Sequence, residues 1–360
     1  MPSLKTLSVN KDITIAETID SDFYLNKEYY ILSLNKIFSK SYQFITDLIS
    51  FDCTQYPFIF LESSINEHLL LTKKEDEILC LHNVCTHRGN IVCLKKNSKK
   101  SLQCSYHGKV FNLKGKFLSM PGFEGVKNFP TEKDDLLIFP VQIWKNFIFT
   151  GINPKINIKH FLSDVDNKLG WYPFENLELI KEKSQNYEID AHWALYCENY
   201  LEGFHIPHVH KGLNSDIDYS SYKTELLDNG VLQYTYSSND KDRLPIPEGC
   251  INSDKNIYAY YYWLFPNMMF NFYSWGLSIN IIEPIAINKT RIRFLSYVIS
   301  GAKQVMHAPS SVDVVEEEDQ RIVQSVQKGI QSSFYNRGRY SAKHEKGTHH
   351  FHRLICKHLK

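Results

Sequence analysis

The spacing of apolar residues divides the chain into stretches of three kinds. Between 22 and 48, Phe23, Tyr30, Leu34, Ile37, Phe38 and Phe44 recur at helical intervals, which predicts a helix. From about 56 to 152 the pattern changes to short apolar runs punctuated by Gly, Pro or Asn. Phe58-Ile59-Phe60-Leu61, Ile78-Leu79-Cys80, Leu102-Gln103-Cys104 and Phe147-Ile148-Phe149 read as strands of a small β domain. Beyond 153 the pattern predicts a helix around 193–206, strands at 230–236, 257–265, 275–284 and 290–300, and a long helix at about 311–335. Val315, Ile322, Val323, Val326, Ile330 and Phe334 define one apolar face of that last helix. Antiparallel strands against a long C-terminal helix describe an α+β domain. The expected organisation is an N-terminal helical segment over 1–40 packing on the C-terminal domain, an all-β domain over 41–152, and the α+β domain over 153–360. The stretch from Gly338-Arg339-Tyr340 to His349-His350-Phe351-His352 reads as a surface tail.

Composition narrows the class. The 360 residues suffice for two domains, and 43% hydrophobic with 22% charged residues is ordinary for a soluble protein. A net charge of +1 gives no global bias toward nucleic acid or membrane. Met1 to Asp20 lacks the apolar core of a signal peptide, and Tyr258 to Phe272 is interrupted by Pro266 and Asn267, so no membrane span is expected. Eight cysteines show no paired disulfide pattern; beyond Cys85 and Cys104, the other six (Cys53, Cys80, Cys93, Cys197, Cys250 and Cys356) read as reduced thiols, which suits the cytoplasm. The lysine-rich run 95–100 reads as a solvated hairpin connection rather than a docking patch.

Two cysteine–histidine pairs carry the first chemistry. Cys85-Thr86-His87 is followed, sixteen residues on, by Cys104-Ser105-Tyr106-His107. Two thiolates on one iron and two imidazoles on the other are the ligand set of a Rieske [2Fe–2S] centre, which moves single electrons. A structural zinc site uses the same residue types, but usually spaces its first pair C-x2–4-C. Both pairs run into glycine, Gly89 and Gly108, which lets the backbone turn tightly, and Met120-Pro121-Gly122-Phe123 offers a third covering loop.

The segment from Cys197 to His210 holds the second anchor. Glu198, Glu202 and His205 stand at i, i+4 and i+7, one face of a helix. Pro207 should end that helix near Ile206, letting the chain fold back and set His210 beside His205. Two histidines and a carboxylate form the facial triad of non-haem Fe(II) oxygenases. The carboxylate is sought in Glu316-Glu317-Glu318-Asp319. Asp319 projects from the middle of the apolar face and Glu318 lies about 100° away. A buried carboxylate needs a partner, which iron would supply. Asp319 is therefore chosen, with Glu318 as the fallback. His208 reads as an outer or substrate-facing residue.

This C-x-H…C-x-x-H-G arrangement resembles the Rieske domain of Rieske-type non-haem iron oxygenases, large (alpha) subunit. The block Glu198-Asn199-Tyr200-Leu201-Glu202-Gly203-Phe204-His205, with His210, and the Glu318-Asp319…Gln324-Ser325-Val326-Gln327-Lys328-Gly329 helix are similar to that family's iron-binding segments. The resemblance implies a helix-grip catalytic domain, a [2Fe–2S] cluster on Cys85, His87, Cys104 and His107, and mononuclear Fe(II) on His205, His210 and Asp319. It places Asn199 in the catalytic site. It also implies a homotrimer in which electrons pass from His107 through Glu202 of the adjacent subunit to His205. Electrons would come from a separate NAD(P)H flavin reductase, with or without a ferredoxin, since no Gly-rich dinucleotide fingerprint is present.

Glutamate at 202, where many ring-hydroxylating members have aspartate, resembles the branch acting on choline, glycine betaine or carnitine, as does the run His205 to Leu213. Tyr261, Tyr262, Trp263, Phe265, Phe270, Tyr273 and Trp275 offer material for a cation-binding box, although alternation along strands assigns most of them to the core. The implied reaction is O2-dependent hydroxylation of a small substrate, giving N-demethylation or alcohol oxidation. The alternatives are an aromatic-ring dihydroxylating dioxygenase alpha subunit and, in a different class, a Rieske electron carrier with a ligand-binding domain.

Overall fold

The computed structural model describes residues 4–210, 221–237, 243–301 and 309–360, with side chains in the last stretch from 314 onward. The chain forms two compact units, one joining the N-terminal residues through Phe38 to Ile156–Lys360, the other spanning Ser39–Lys155.

The Ser39–Lys155 unit is built of ten strands in three antiparallel sheets. Strands β1 (Gln43–Asp47), β10 (Phe147–Thr150) and β9 (Val141–Trp144) form one. Strands β2 (Gln55–Phe60), β3 (Glu67–Lys74), β4 (Glu77–His82) and β8 (Ile138–Phe139) form the second, and β5 (Ser101–Gln103), β6 (Val110–Asn112) and β7 (Phe117–Ser119) the third. Leu70, Leu81, Leu102, Phe111, Leu113 and Leu136 close a core that also takes in Cys85 and Cys104. The two cysteine–histidine loops leave this core from the end of β4 and from the β5–β6 connection.

The larger unit centres on an eight-stranded antiparallel sheet. Its path runs β11 (Leu177–Leu179), β18 (Lys289–Ile299), β17 (Gly276–Ala286), β16 (Met268–Tyr273), β15 (Ile257–Leu264), β14 (Gly230–Tyr236), β13 (Lys223–Leu227), with β12 (Gln185–Ile189) also on β18. Helix α3 (Lys159–Leu169) covers one face, where Phe161 meets Tyr262 edge-on and Phe270 at a tilt. The opposite face carries α4 (Trp193–Tyr200), which Gln233 ties down through the Tyr200 carbonyl at 2.8 Å. Helices α6 (Pro309–Gly329) and α7 (Lys346–Leu359) pack beside α4. A sheet holding long helices on one face is the expected α+β design.

Several expected elements differ in extent. The 22–48 helix is two short ones, α1 (Asp22–Leu25) and α2 (Lys27–Lys36). Asn26 interrupts it with extended backbone and caps α2 by accepting from the Glu28 N–H. Phe44 belongs to β1, because pairing with Phe149 buries it better than a helix end could. Helix α6 stops at Gly329, so Phe334 lies beyond it and is 99% exposed, and Val326 also faces solvent. The buried stripe of α6 is instead Glu316, Asp319, Val323 and Gln327, continued by Ile330 just past its end, and is more polar than the sequence reading. The supposed C-terminal tail is α7, with His349, Phe351, His352 and Ile355 all buried. Their helical spacing was the available signal, masked by the polar composition.

Candidate metal centres

The two ligand loops of the smaller unit are built alike. In each, the cysteine N–H bonds the carbonyl five residues on, Asn90 at 2.8 Å and Lys109 at 2.9 Å. The glycine four residues on bonds back to the cysteine carbonyl, at 3.0 and 3.1 Å. Gly89 and Gly108 close these loops at φ +72 and +73, a left-handed conformation that costs an L side chain about 1 kcal/mol or more. The differing C-x-H and C-x-x-H spacings therefore hang on one shared frame.

Cys85 and Cys104 are buried and lie within hydrogen-bonding reach of each other, while His87 and His107 are half-buried with their Nδ1 atoms 3.2 Å apart. Burial pushes the Cys85 thiol up. Burial opposes ionisation of Cys104 too, yet the Tyr106 N–H and the Asn90 amide hold that thiol below its usual value. Phe123 packs edge-on against His87 and Pro121 lies over Gly108, so the Met120–Phe123 loop does cover the pair. Two thiols on the core side and two imidazoles outward match the donor set of a Rieske cluster.

In the larger unit, α4 ends earlier than expected. The Leu201 N–H turns back to the Cys197 and Glu198 carbonyls, and Glu202 follows outside the helix. Pro207 does not end this helix. It opens a new one, α5 (Ile206–Val209), at a position where its missing N–H costs nothing. His205 and His210 cap the two ends of that single turn, which brings their rings to 5.1 Å. Glu198 departs from the expected common face. It accepts from the Tyr24 hydroxyl at 2.8 Å and meets His352 at 3.2 Å, with the Tyr340 hydroxyl 2.6 Å from the far ring nitrogen.

The ligand atoms of His205, His210 and Asp319 all lie within 4.8 Å of one another. Both histidines turn Nε2 toward Asp319 Oδ1, at 3.6 and 3.0 Å. Each Nδ1 meets a glutamate: His205 meets Glu202 at 2.7 Å and His210 meets Glu318 at 2.8 Å. An ionised carboxylate only accepts, so with a metal ion on the Nε2 side each imidazole would carry its proton on Nδ1, toward its glutamate, and offer Nε2 as the ligand atom. Glu202 further accepts from the backbone N–H groups of Phe204 and His205. Asn199 donates to Asp319 Oδ1 at 3.1 Å. Burial works against a charged His210, but Asp319 and Glu318 raise its pKa nonetheless. Two imidazole nitrogens and a carboxylate oxygen on one side of a site fit mononuclear iron.

Residues that the sequence reading passed over complete the surroundings. Glu316, one turn before Asp319, takes the Tyr196 hydroxyl at 2.5 Å, with both groups buried. The Tyr200 hydroxyl donates to Asn271 at 2.7 Å. On this sheet face Tyr273 stacks on Trp275 at 5.0 Å and meets Tyr261 at 5.9 Å. Burial first, then Tyr258 and Glu316, raise the Tyr273 hydroxyl pKa. Tyr262, Trp263, Phe265 and Phe270 are buried core. His208 is exposed beside Phe204 and stands apart from the triad. Lys211, Gly212 and Leu213 lie outside the described residues.

Residues 174–360 match the ring hydroxylating alpha subunit (catalytic domain) family, and residues 60–130 the Rieske [2Fe-2S] domain. The chain is 28% identical to chloroplastic choline monooxygenase of Amaranthus tricolor over 93% of its own length and 76% of the relative's. It is 25% identical to the carnitine monooxygenase oxygenase subunit of Escherichia coli K12, covering 95% and 93%. Its fold matches that of a quaternary ammonium Rieske monooxygenase studied for carnitine oxidation and inter-subunit electron transfer (TM-score 0.80, 19% identity, 98% and 100% covered). It also matches naphthalene 1,2-dioxygenase (TM-score 0.70, 18% identity, 97% and 94% covered). The chain belongs to the ring hydroxylating alpha-subunit family and is a Rieske oxygenase, an oxidoreductase that works with a [2Fe–2S] cluster and a mononuclear iron.

Proposed function

We propose that the chain is the oxygenase component of a quaternary-amine monooxygenase. The observation that carries this reading is the His205–His210–Asp319 convergence in a unit whose sheet also gathers the rings of Tyr261 and Tyr273, with Trp275 stacked on Tyr273 from the following turn. Aromatic faces attract a cation that cannot hydrogen-bond, by about 0.5–2 kcal/mol each. The similarity to choline and carnitine monooxygenases supports the substrate class.

Cys85, His87, Cys104 and His107 would hold the cluster, and His205, His210 and Asp319 the iron. When bound, these centres deliver single electrons and activate dioxygen. The chain's own groups set the geometry. Glu202 and Glu318 hold protons on the two Nδ1 atoms, and Asn199 fixes the Asp319 carboxylate. Glu202 is also the proposed bridge between subunits of a homotrimer, hydrogen-bonding the partner subunit's His107 and its own His205, so that the electron would cross between the two centres along that contact. The overall change consumes O2, two electrons and two protons. It leaves one oxygen in a substrate C–H bond and the other in water. Hydroxylation at an N-methyl group releases formaldehyde, and at an alcohol carbon yields an aldehyde.

A separate NAD(P)H flavin reductase, with or without a ferredoxin, would supply the electrons. Eight free cysteines suit a reducing compartment such as the cytoplasm. Among the described residues no helix is long and apolar enough to cross a membrane. We take 41–152 and 153–360 as the working domain limits, with 1–40 on the latter. Backbone bonds from Thr18 to Gly338 and Ser21 to Asn336 support that attachment.

The test is a substrate screen with an artificial reductase, reading formaldehyde, aldehydes and diols. Formaldehyde or aldehyde from choline, glycine betaine or carnitine is the expected result. A cis-diol from an arene would replace the amine reading. Cluster oxidation without product from any substrate would favour an electron carrier.

A further inference from the structure

Lys109 stands directly after the second ligand loop, yet its side chain serves the first. It is 1% exposed. Its ammonium donates to Thr86 Oγ1 at 2.8 Å and pairs with Asp134 Oδ1 at 3.0 Å. The rings of Phe111, Phe117 and Phe129 lie 5.3 to 5.6 Å away. Thr86 is the residue between Cys85 and His87, and its hydroxyl donates to the Asp134 carbonyl at 2.8 Å. Asp134 is itself anchored by the Thr131 N–H at 2.9 Å.

Burying an ammonium costs several kcal/mol before its partners offset it. A methionine of similar length would fill the same phenylalanine-lined space without that cost, and replacing buried ion pairs by apolar residues is often neutral or stabilising. Stability alone therefore does not account for a lysine here. What it supplies beyond a methionine is a hydrogen bond to the first loop and a fixed positive charge beside both loops. Its carboxylate partner also holds the same threonine, whose hydroxyl donates to the Asp134 carbonyl.

We propose that Lys109 and Asp134 form an internal charge pair that locks the Cys85–His87 loop against the Cys104–His107 loop and sets the reduction potential of the cluster between them. The ammonium favours the added electron and the carboxylate opposes it. Lys109 is thus a positioning residue for electron transfer, acting through Thr86 and through its field. The inference rests on the cluster assignment above.

The experiment is potentiometric titration of the visible and electron paramagnetic resonance signals of the intact protein. K109M should lower the midpoint potential and D134N should raise it. Each should shift the reduced-to-oxidised ratio at fixed poise by about tenfold, which is 59 mV for a one-electron couple. The K109M/D134N double variant should return toward the parent value, and K109R should keep it. A purely mechanical strap predicts shifts of one sign in both single variants, and either that result or unmoved potentials overturns the proposal. Should K109M fail to assemble a cluster, the sign of the D134N shift decides alone. A parent protein lacking any Rieske signal would instead sink the cluster assignment.

Discussion

At His205 and His210 the same arrangement is built twice from different directions. Glu202 reaches its histidine from three residues before it, whereas Glu318 comes from a separate helix and is the immediate neighbour of Asp319. That geometry separates the two acidic residues of α6. Asp319 faces both Nε2 atoms and Glu318 faces an Nδ1, so they should fail differently. Asp319→Ala should lose the mononuclear iron and turnover while keeping the cluster spectrum. Glu318→Gln should retain iron but weaken its binding by roughly 10–100-fold, as expected of a group that orients a ligand. Iron quantification after dialysis against a graded chelator checks both, and the reverse order would exchange the two roles. The raised pKa of His210 adds a pH signature. Its proton must leave before Nε2 can bind metal, so Fe(II) affinity should climb as pH rises from 6 to 8. A competition titration that stays flat across that range contradicts this account.

The turn after α4 is where helix packing positions chemistry. Gly347, in the first turn of α7, lies so close to this turn that an added Cβ would stand 2.3 Å from the Leu201 carbonyl oxygen. Leu201 immediately precedes Glu202, and the contact is backbone, so it cannot be relieved by a side-chain rotation. Gly347→Ala should therefore cost about 1–3 kcal/mol or more, the range for overpacking. It should also reduce iron retention at His205 more than it reduces cluster content. Thermal melts combined with separate assays for cluster absorbance and total iron would show it. Equal loss from both centres would point to general unfolding instead.

Across the whole molecule, two behaviours follow. His192 is fully buried at the start of α4, its Nε2 without a partner among the described residues, and burial depresses its pKa to about 3. In the unfolded chain it would titrate near 6.5. The unfolded state therefore takes up the proton first, and the stability His192 contributes is complete above pH 6.5 and lost as pH falls toward 3. Urea unfolding at pH 5 should show about 2 kcal/mol less stability from this group. His192→Asn, which keeps an acceptor for the Ala194 N–H, should flatten the slope. The second behaviour concerns the proposed ring of three. His107→Ala chains and His205→Ala chains, each inactive alone, should regain turnover when coassembled, because an intact donor would then sit beside an intact acceptor on the next chain. No recovery in verified mixed oligomers would refute the inter-subunit route.

Residue spacing, with the family resemblance it carries, pointed to the chemistry. The Cys85–His87 and Cys104–His107 pairs each sit within one tight loop, and a short loop leaves few ways to arrange its ligands. His205 and His210 were legible for a similar reason, one turn of chain apart. The mechanism was not: Pro207 begins α5 rather than ending α4, which already closes where the Leu201 N–H turns back to the Cys197 and Glu198 carbonyls. Other outcomes needed long-range contacts. Glu198 turned from its expected face toward Tyr24 and His352, which are remote in sequence. The C-terminal histidines became core because α7 found a surface to bury them. Lys109 gave no sequence signal at all, since only folding brings Thr86 and Asp134 to its ammonium. Local ligand geometry is a property of short chain segments, whereas burial and charge pairing belong to the surfaces that distant segments present to one another.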